Sequence, residues 1–153
     1  MTLSTSLSRS SGFTLIEGVV LASLVGIGAS FAVPHFTRLA NSARAAEVTA
    51  LGANLRRAAQ TAHAQFLAPG AHRSAITMGG KTVILKNGYP DATASGICNA
   101  VFNSDRFTFS EGAGSVTFFK ADAPAGEQCS VTYKAAPEAS SGAIITDPDT
   151  RGC

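Results

Sequence analysis

Gly12-Phe13-Thr14-Leu15-Ile16-Glu17 opens an apolar run that continues almost unbroken to Val33, and Glu17 is the single charge between Phe13 and Val33. About 20 apolar residues suffice to cross a bilayer as a helix. A charged side chain inside such a span costs on the order of 2.5–3.5 kcal/mol on insertion scales, so an acid kept there marks a function. Residues 1–12 are polar and serine-rich, with one basic side chain, Arg9. The layout predicts a short leader processed at the membrane, then a span whose buried acid later finds a partner.

Working outward, Gly18, Gly26 and Gly28 weaken the helix locally, and Pro34 removes a backbone donor and invites a kink. Beyond Pro34 the helical pattern resumes. Phe36, Leu39, Ala43, Val48, Leu51, Leu55, Ala58, Ala62 and Phe66 recur three to five residues apart, with Arg38, Arg44, Glu47, Arg56 and Arg57 between them. That spacing predicts an amphipathic helix, ended by Pro69-Gly70. Residues 13–66 thus read as one nearly continuous helix, half in lipid and half packed on a domain.

After residue 70 the period changes. Ala75-Ile76-Thr77-Met78 and Lys81-Thr82-Val83-Ile84-Leu85-Lys86 flank Gly79-Gly80, a two-residue hairpin signal. Asn87-Gly88-Tyr89-Pro90 is turn chemistry, and residues 91–103 read as a short helix with Asp91 as its N-cap. Phe107-Thr108-Phe109, Val116-Thr117-Phe118 and Cys129-Ser130-Val131-Thr132-Tyr133 alternate as strands do, and Ala143-Ile144-Ile145 is a candidate last strand. The expected fold class is α+β: a long N-terminal helix on a small antiparallel sheet.

Charged residues make up 14% of the 153-residue chain and the formal net charge is +2. That balance argues against a general affinity for nucleic acid, which shows a clear basic face. Cys98, Cys129 and Cys153 form no C-x-x-C pair and have no histidine cluster nearby, which argues against a metal site. Export to an oxidising compartment favours one disulfide and one remaining thiol. Three pairings exist and sequence alone does not choose among them. Cys129–Cys153 is favoured because it staples residue 153 back onto a strand-like segment, leaving Cys98 as a small buried apolar residue.

Two plainer alternatives stand beside the processed-span reading. One is an ordinary secretory signal, with a small-x-small site at Ser30-Phe31-Ala32. Its apolar run is longer than usual and carries a carboxylate. The other is a plain membrane anchor, whose orientation is left open by Arg9 before the span and Arg38 and Arg44 after it. From the residues alone all three stay open.

Residues 12–17 resemble the prepilin cleavage site of type IV pilins and type II secretion pseudopilins. The resemblance implies cleavage between Gly12 and Phe13 by a membrane-embedded prepilin peptidase, then N-methylation of Phe13. It also implies that Glu17 pairs in the filament core with a neighbouring subunit's N-terminal amine, that Gly26 lies where the helix tends to unwind, and that Pro34 kinks it. Asn87-Gly88-Tyr89-Pro90-Asp91-Ala92, Ile97 and Cys129-Ser130-Val131-Thr132-Tyr133 before Cys153 are similar to the mannose-sensitive haemagglutinin pilins of the type IVa class. There the last two cysteines close a surface loop, which implies the Cys129–Cys153 pair. The chain departs from the pattern in its single leader cation, in Gly18 after the glutamate, and in the extra Cys98.

The resemblance implies the type IV pilin fold: a leader over 1–12, a membrane and filament-core half-helix over 13–33, an amphipathic half over 34–66, and a globular region over 67–153. The implied function is a structural subunit of a type IVa pilus supporting adhesion, aggregation or motility. Such a subunit resides in the inner membrane and then in an extracellular fibre. Its partners are itself and other pilins, the prepilin peptidase and the pilus assembly platform; nucleic acid is not expected, and no cofactor is implied. The alternatives are a periplasmic type II secretion pseudopilin, or a minor pilin acting as an adhesin or in DNA uptake. His35, His63 and His72 are isolated and read as ordinary polar positions, Phe107, Phe109, Phe118 and Phe119 read as core, and Asp147 and Asp149 read as a solvated turn with too few oxygen donors for calcium. No nucleophile–base set or phosphate loop is visible, so the chain reads as the substrate of an enzyme and not as one.

Overall fold

Thr14 and Glu17 flank the first turn of an α-helix, α1, that runs from Leu15 to Leu67. The computed structural model describes residues 13–68, 70, 73–101 and 106–153, with residues 31–34 described by their backbone only. The leader with Arg9 and Gly12, together with Pro69 and His72, lies outside the described residues. The chain divides into two compact units, one ending at Leu39 and one spanning Ala40–Cys153.

In the first unit the helical backbone continues through Gly26 and position 34. By length and composition this part of α1 is apolar enough to cross a membrane, and none of its apolar stretch is buried in the molecule. Leu15 is 86% exposed, and Ile16, Val20 and Leu24 are likewise open.

In the second unit, Val48, Leu51, Leu55, Ala58 and Ala62 form the packed stripe of α1. Phe36, Leu39 and Ala43 were expected to continue that stripe, but they are exposed. Packing of the stripe against the core starts at Ala45, because spacing alone does not say how far along a helix the sheet reaches.

The strands form two antiparallel sheets. The first is β1 (Ala75–Met78), β2 (Lys81–Lys86) and β3 (Tyr89–Pro90), in that order. The Gly79-Gly80 hairpin has both glycines at positive φ, and a second tight turn places Asn87 and Gly88 at φ 54° and 80°. The stretch 87–90 therefore carries a strand as well as a turn, with Lys86 paired to Tyr89. The second sheet is β4 (Thr108–Gly112), β5 (Ser115–Phe119), β6 (Ser130–Lys134) and β7 (Ile144–Ile145), also in sequence order. On its face opposite the core, the Thr117 and Thr132 hydroxyls meet at 2.9 Å across paired strands. Val83 and Leu85 of β2, Val116 and Phe118 of β5, and Val131 and Tyr133 of β6 close over the α1 stripe. Phe107 and Phe119 are partly buried, but Phe109 is 40% exposed, so it is no core residue.

Hydrogen bonds join the two sheets. Asn87 Nδ2 donates to the Ala136 carbonyl at 2.9 Å, and the Tyr133 hydroxyl donates to the Pro90 carbonyl at 2.6 Å. Of the helix expected over 91–103, the described part starts at Ala94 as a π-helical turn, Ala94–Cys98, and stays helical at Asn99 and Ala100; residues 102 and 103 lie outside the described residues. The N-cap of this turn is Thr93, whose hydroxyl accepts from Gly96 N at 3.1 Å. Asp91 spends its carboxylate on the Ala92 amide at 2.9 Å. A side chain at residue 96 would collide with the Asp91 carbonyl, so this turn is built on a glycine.

Candidate functional site

Phe13 is 73% exposed and directly precedes the cap of α1. Glu17 Oε2 accepts from the Thr14 amide at 3.3 Å and from its hydroxyl at 3.2 Å. In return, the Glu17 amide donates to Thr14 Oγ1 at 3.4 Å. This reciprocal pair is a capping box, which satisfies donors that a helix start leaves bare. The carboxylate also sits at the positive end of the helix dipole. The Thr-x-x-Glu spacing at residues 14–17, directly ahead of an apolar run, is the sequence signal of this box.

Below the cap the surface of the apolar stretch carries no free hydroxyl among its serines. Ser23 and Ser30 turn their hydroxyls onto the helix's own carbonyls, at Val19 O (2.8 Å) and Ile27 O (2.7 Å). Neither hydroxyl therefore needs a partner from hydrocarbon. A Cβ at Gly18, Gly26 or Gly28 would meet nothing within 4 Å. Packing within this chain gives no reason for glycine at Gly26. Pro34 cannot donate to the carbonyl one turn back, at Ser30.

The second feature is the disulfide. Cys129 and Cys153 are bonded, with Cα atoms 4.8 Å apart and a sequence separation of 24. Both are buried. The segment 149–153 is also held without the sulfurs. Ser130 and Asp149 exchange two backbone hydrogen bonds at 3.0 and 2.8 Å, Gly152 N donates to Gln128 O at 2.9 Å, and Ala125 N donates to Gly152 O at 3.2 Å. A Cβ at Gly152 would press on the Ala125 carbonyl and stand 2.7 Å from Gln128 Cβ.

Charges from α1 meet this corner. Arg44 donates to the Cys153 carbonyl at 3.2 Å, to Asn41 Oδ1 at 3.0 Å and to Asp122 Oδ2 at 3.4 Å. Lys120, only 10% exposed in its side chain, places Nζ 2.7 Å from Glu47 Oε2 and 3.5 Å from Asp122 Oδ1, with the Phe107 ring 5.3 Å away. Glu47 Oε2 is itself buried, and the ammonium reaches it as an ion pair outside hydrogen-bond alignment. Arg106 lies 3.7 Å from the other Glu47 oxygen. No local signal pairs residues 47 and 120, so sequence reading missed this cluster.

Arg151 occupies Asp149: Nε donates to Oδ1 at 3.0 Å, and Nη2 to Oδ2 at 2.7 Å. The Arg151 side-chain hydrogen bonds, then its backbone amide, hold the Asp149 carboxyl down at about 2. Asp147 faces solvent and pairs with Arg56 at 3.5 Å. The two aspartates are thus engaged by guanidinium groups, and among the described residues no three His, Cys, Asp or Glu side chains converge. Cys98 is buried in the core, and burial, with Glu111 adding to it, pushes its thiol up to about 11. His63 is a packed aromatic plate. Its ring stacks on Tyr89 with centroids 4.1 Å apart, and Nδ1 lies 3.1 Å from the Gly88 carbonyl. His35 is exposed.

No family model matches the chain, and neither a curated protein nor a solved structure matches it.

Proposed function

We propose that this chain is a structural subunit of a type IVa pilus with the type IV pilin fold. It is cut between Gly12 and Phe13 and N-methylated on Phe13 before assembly. The observation that carries the reading is the apolar surface of α1 over residues 15–30 and 35–39, exposed at every one of them and headed by one carboxylate. Exposed apolar surface on that scale marks a lipid or protein interface. In the inner membrane lipid covers it; in the fibre the same surface of neighbouring copies does. The Glu17 carboxylate, tied to Thr14 in the single chain, is transferred to a neighbour's new amine, since an unpaired charge in that core is strongly unfavourable.

Against the pseudopilin alternative stands the C-terminal corner. It is closed by a buried disulfide, and Asp149 is held by Arg151 where a calcium loop needs free oxygens. Electron microscopy of sheared cell-surface material, with this chain carrying an epitope tag, tests the reading. Long tagged fibres are expected. Tagged chain retained entirely in the cell envelope, with no fibres, contradicts it.

A further inference from the structure

Ile144, 56% exposed, is the ridge between two grooves on the segment closed by the disulfide. One groove, of about 300 Å3, is lined by Lys86 and Lys134 over Gly114 and Pro137. The other, of about 440 Å3, is lined by Arg56, Gln60 and Tyr89. Lys86 ends β2 and Lys134 ends β6, so the two lysines come from different sheets. The Asn87–Ala136 hydrogen bond fixes those sheets beside one another.

Neither groove is lined by an aspartate or glutamate. Among the described residues, Lys86 and Lys134 are exposed and make no ion pair. Arg56 pairs with Asp147, whose side chain is fully exposed, a contact that water and salt displace at little cost. Three cations therefore border one surface with little to balance them, which favours an anionic ligand. The rest of the surface narrows its class. Tyr89 is held as a rigid plate by His63, Gln60 offers an amide able to donate and accept, and Ile144 supplies a small apolar crest. Single-stranded nucleic acid asks for successive stacking rings, and the lining holds one.

We propose that this surface binds an acidic polysaccharide. Its carboxylates meet Lys86 and Lys134, its ring hydroxyls meet Gln60 and Arg56, and the apolar face of a sugar ring rests on Tyr89 and Ile144. The inference stands apart from the pilus reading, because a chain that never polymerises still presents these grooves.

The test is calorimetric titration of the purified full chain in neutral detergent, at low ionic strength, with a polyuronate oligosaccharide. Neutral dextran of equal length, polyglutamate and single-stranded DNA of equal charge serve as comparisons. Polyuronate binding is expected, with no dextran binding and with both other polyanions at least about tenfold weaker. The exposed-site variants Lys86→Gln/Lys134→Gln and Gln60→Ala are each expected to weaken polyuronate binding, the lysine pair by about tenfold, at unchanged thermal midpoints. The proposal is overturned by absent polyuronate binding, by dextran binding equally, by another polyanion binding as tightly, or by variants that bind like the parent.

Discussion

At Glu17, capping a helix and pairing with a neighbour's amine make different demands on one side chain. A capping box accepts glutamine as readily as glutamate, whereas ion pairing needs the charge. Glu17→Gln therefore separates the two roles that Glu17→Leu removes together. Both variants are expected to insert in the membrane and to lower fibre yield by similar, large factors, measured by quantifying sheared fibres. Wild-type yield from Glu17→Gln would leave capping as the whole role. A second residue-scale prediction concerns acid. Asp149 is held at about 2 by Arg151, below the ordinary carboxylate value of 3.8. A carboxyl lowered by folding stabilises above its unfolded value and loses that contribution as pH falls through its folded one. The Arg151 contact should thus stabilise the second unit above pH 4 and fade between about 4 and 2. Asp149→Asn should flatten the pH dependence of the thermal midpoint within that window and leave its slope elsewhere unchanged.

The disulfide and the backbone bonds around Gly152 act on different states of the same element. Cross-linking residues 24 apart acts mainly on the unfolded chain and is worth about 3 kcal/mol in the entropy model. The backbone bonds linking Ser130, Gln128 and Ala125 to residues 149–152 hold the folded segment by themselves. Cys129→Ser/Cys153→Ser is therefore expected to lower unfolding stability by about 2–4 kcal/mol while amide exchange at Ser130 and Gly152 stays slow. Fast exchange there in the folded variant would mean that the sulfurs alone hold the segment. Gly152→Ala, by contrast, strikes the native state. It should destabilise by about 1–3 kcal/mol in denaturant titration with the disulfide intact. What could be read beforehand follows from locality. The strands β1 and β2 were legible because Gly79-Gly80 punctuates two short β-rich runs, and α1 because its period persists to Phe66. The helix expected from Asp91 starts instead at Ala94, capped by Thr93, because its first turn depends on Gly96 lying against the Asp91 carbonyl, an approach no propensity encodes. Tyr89-Pro90 hid as a strand because proline argues against one, although here it ends a two-residue edge.

Across the second unit, the Glu47–Lys120–Asp122–Arg44 cluster fastens α1 to the sheet and to residue 153. Such a cluster lies beyond sequence reading because its members are far apart in the chain and each looks like a surface charge. Removing Glu47 leaves the buried Lys120 ammonium with only the longer contact to the exposed Asp122, at 3.5 Å. Glu47→Ala should cost about 1–3 kcal/mol, less than a fully buried pair because the Glu47 side chain is 39% exposed. Glu47→Leu/Lys120→Met should recover part of that loss in the same denaturant titration; a double variant weaker than the single one would mean the cluster is worth more than its desolvation. For the whole molecule, everything turns on whether the uncovered helix from Phe13 onward becomes the N-terminus of the mature chain. Intact-mass and N-terminal fragment spectra of the chain recovered from cells decide this most directly. The account predicts a chain beginning at Phe13 with a methylated amine. A chain beginning at Val33, or one retaining residues 1–12, would contradict it.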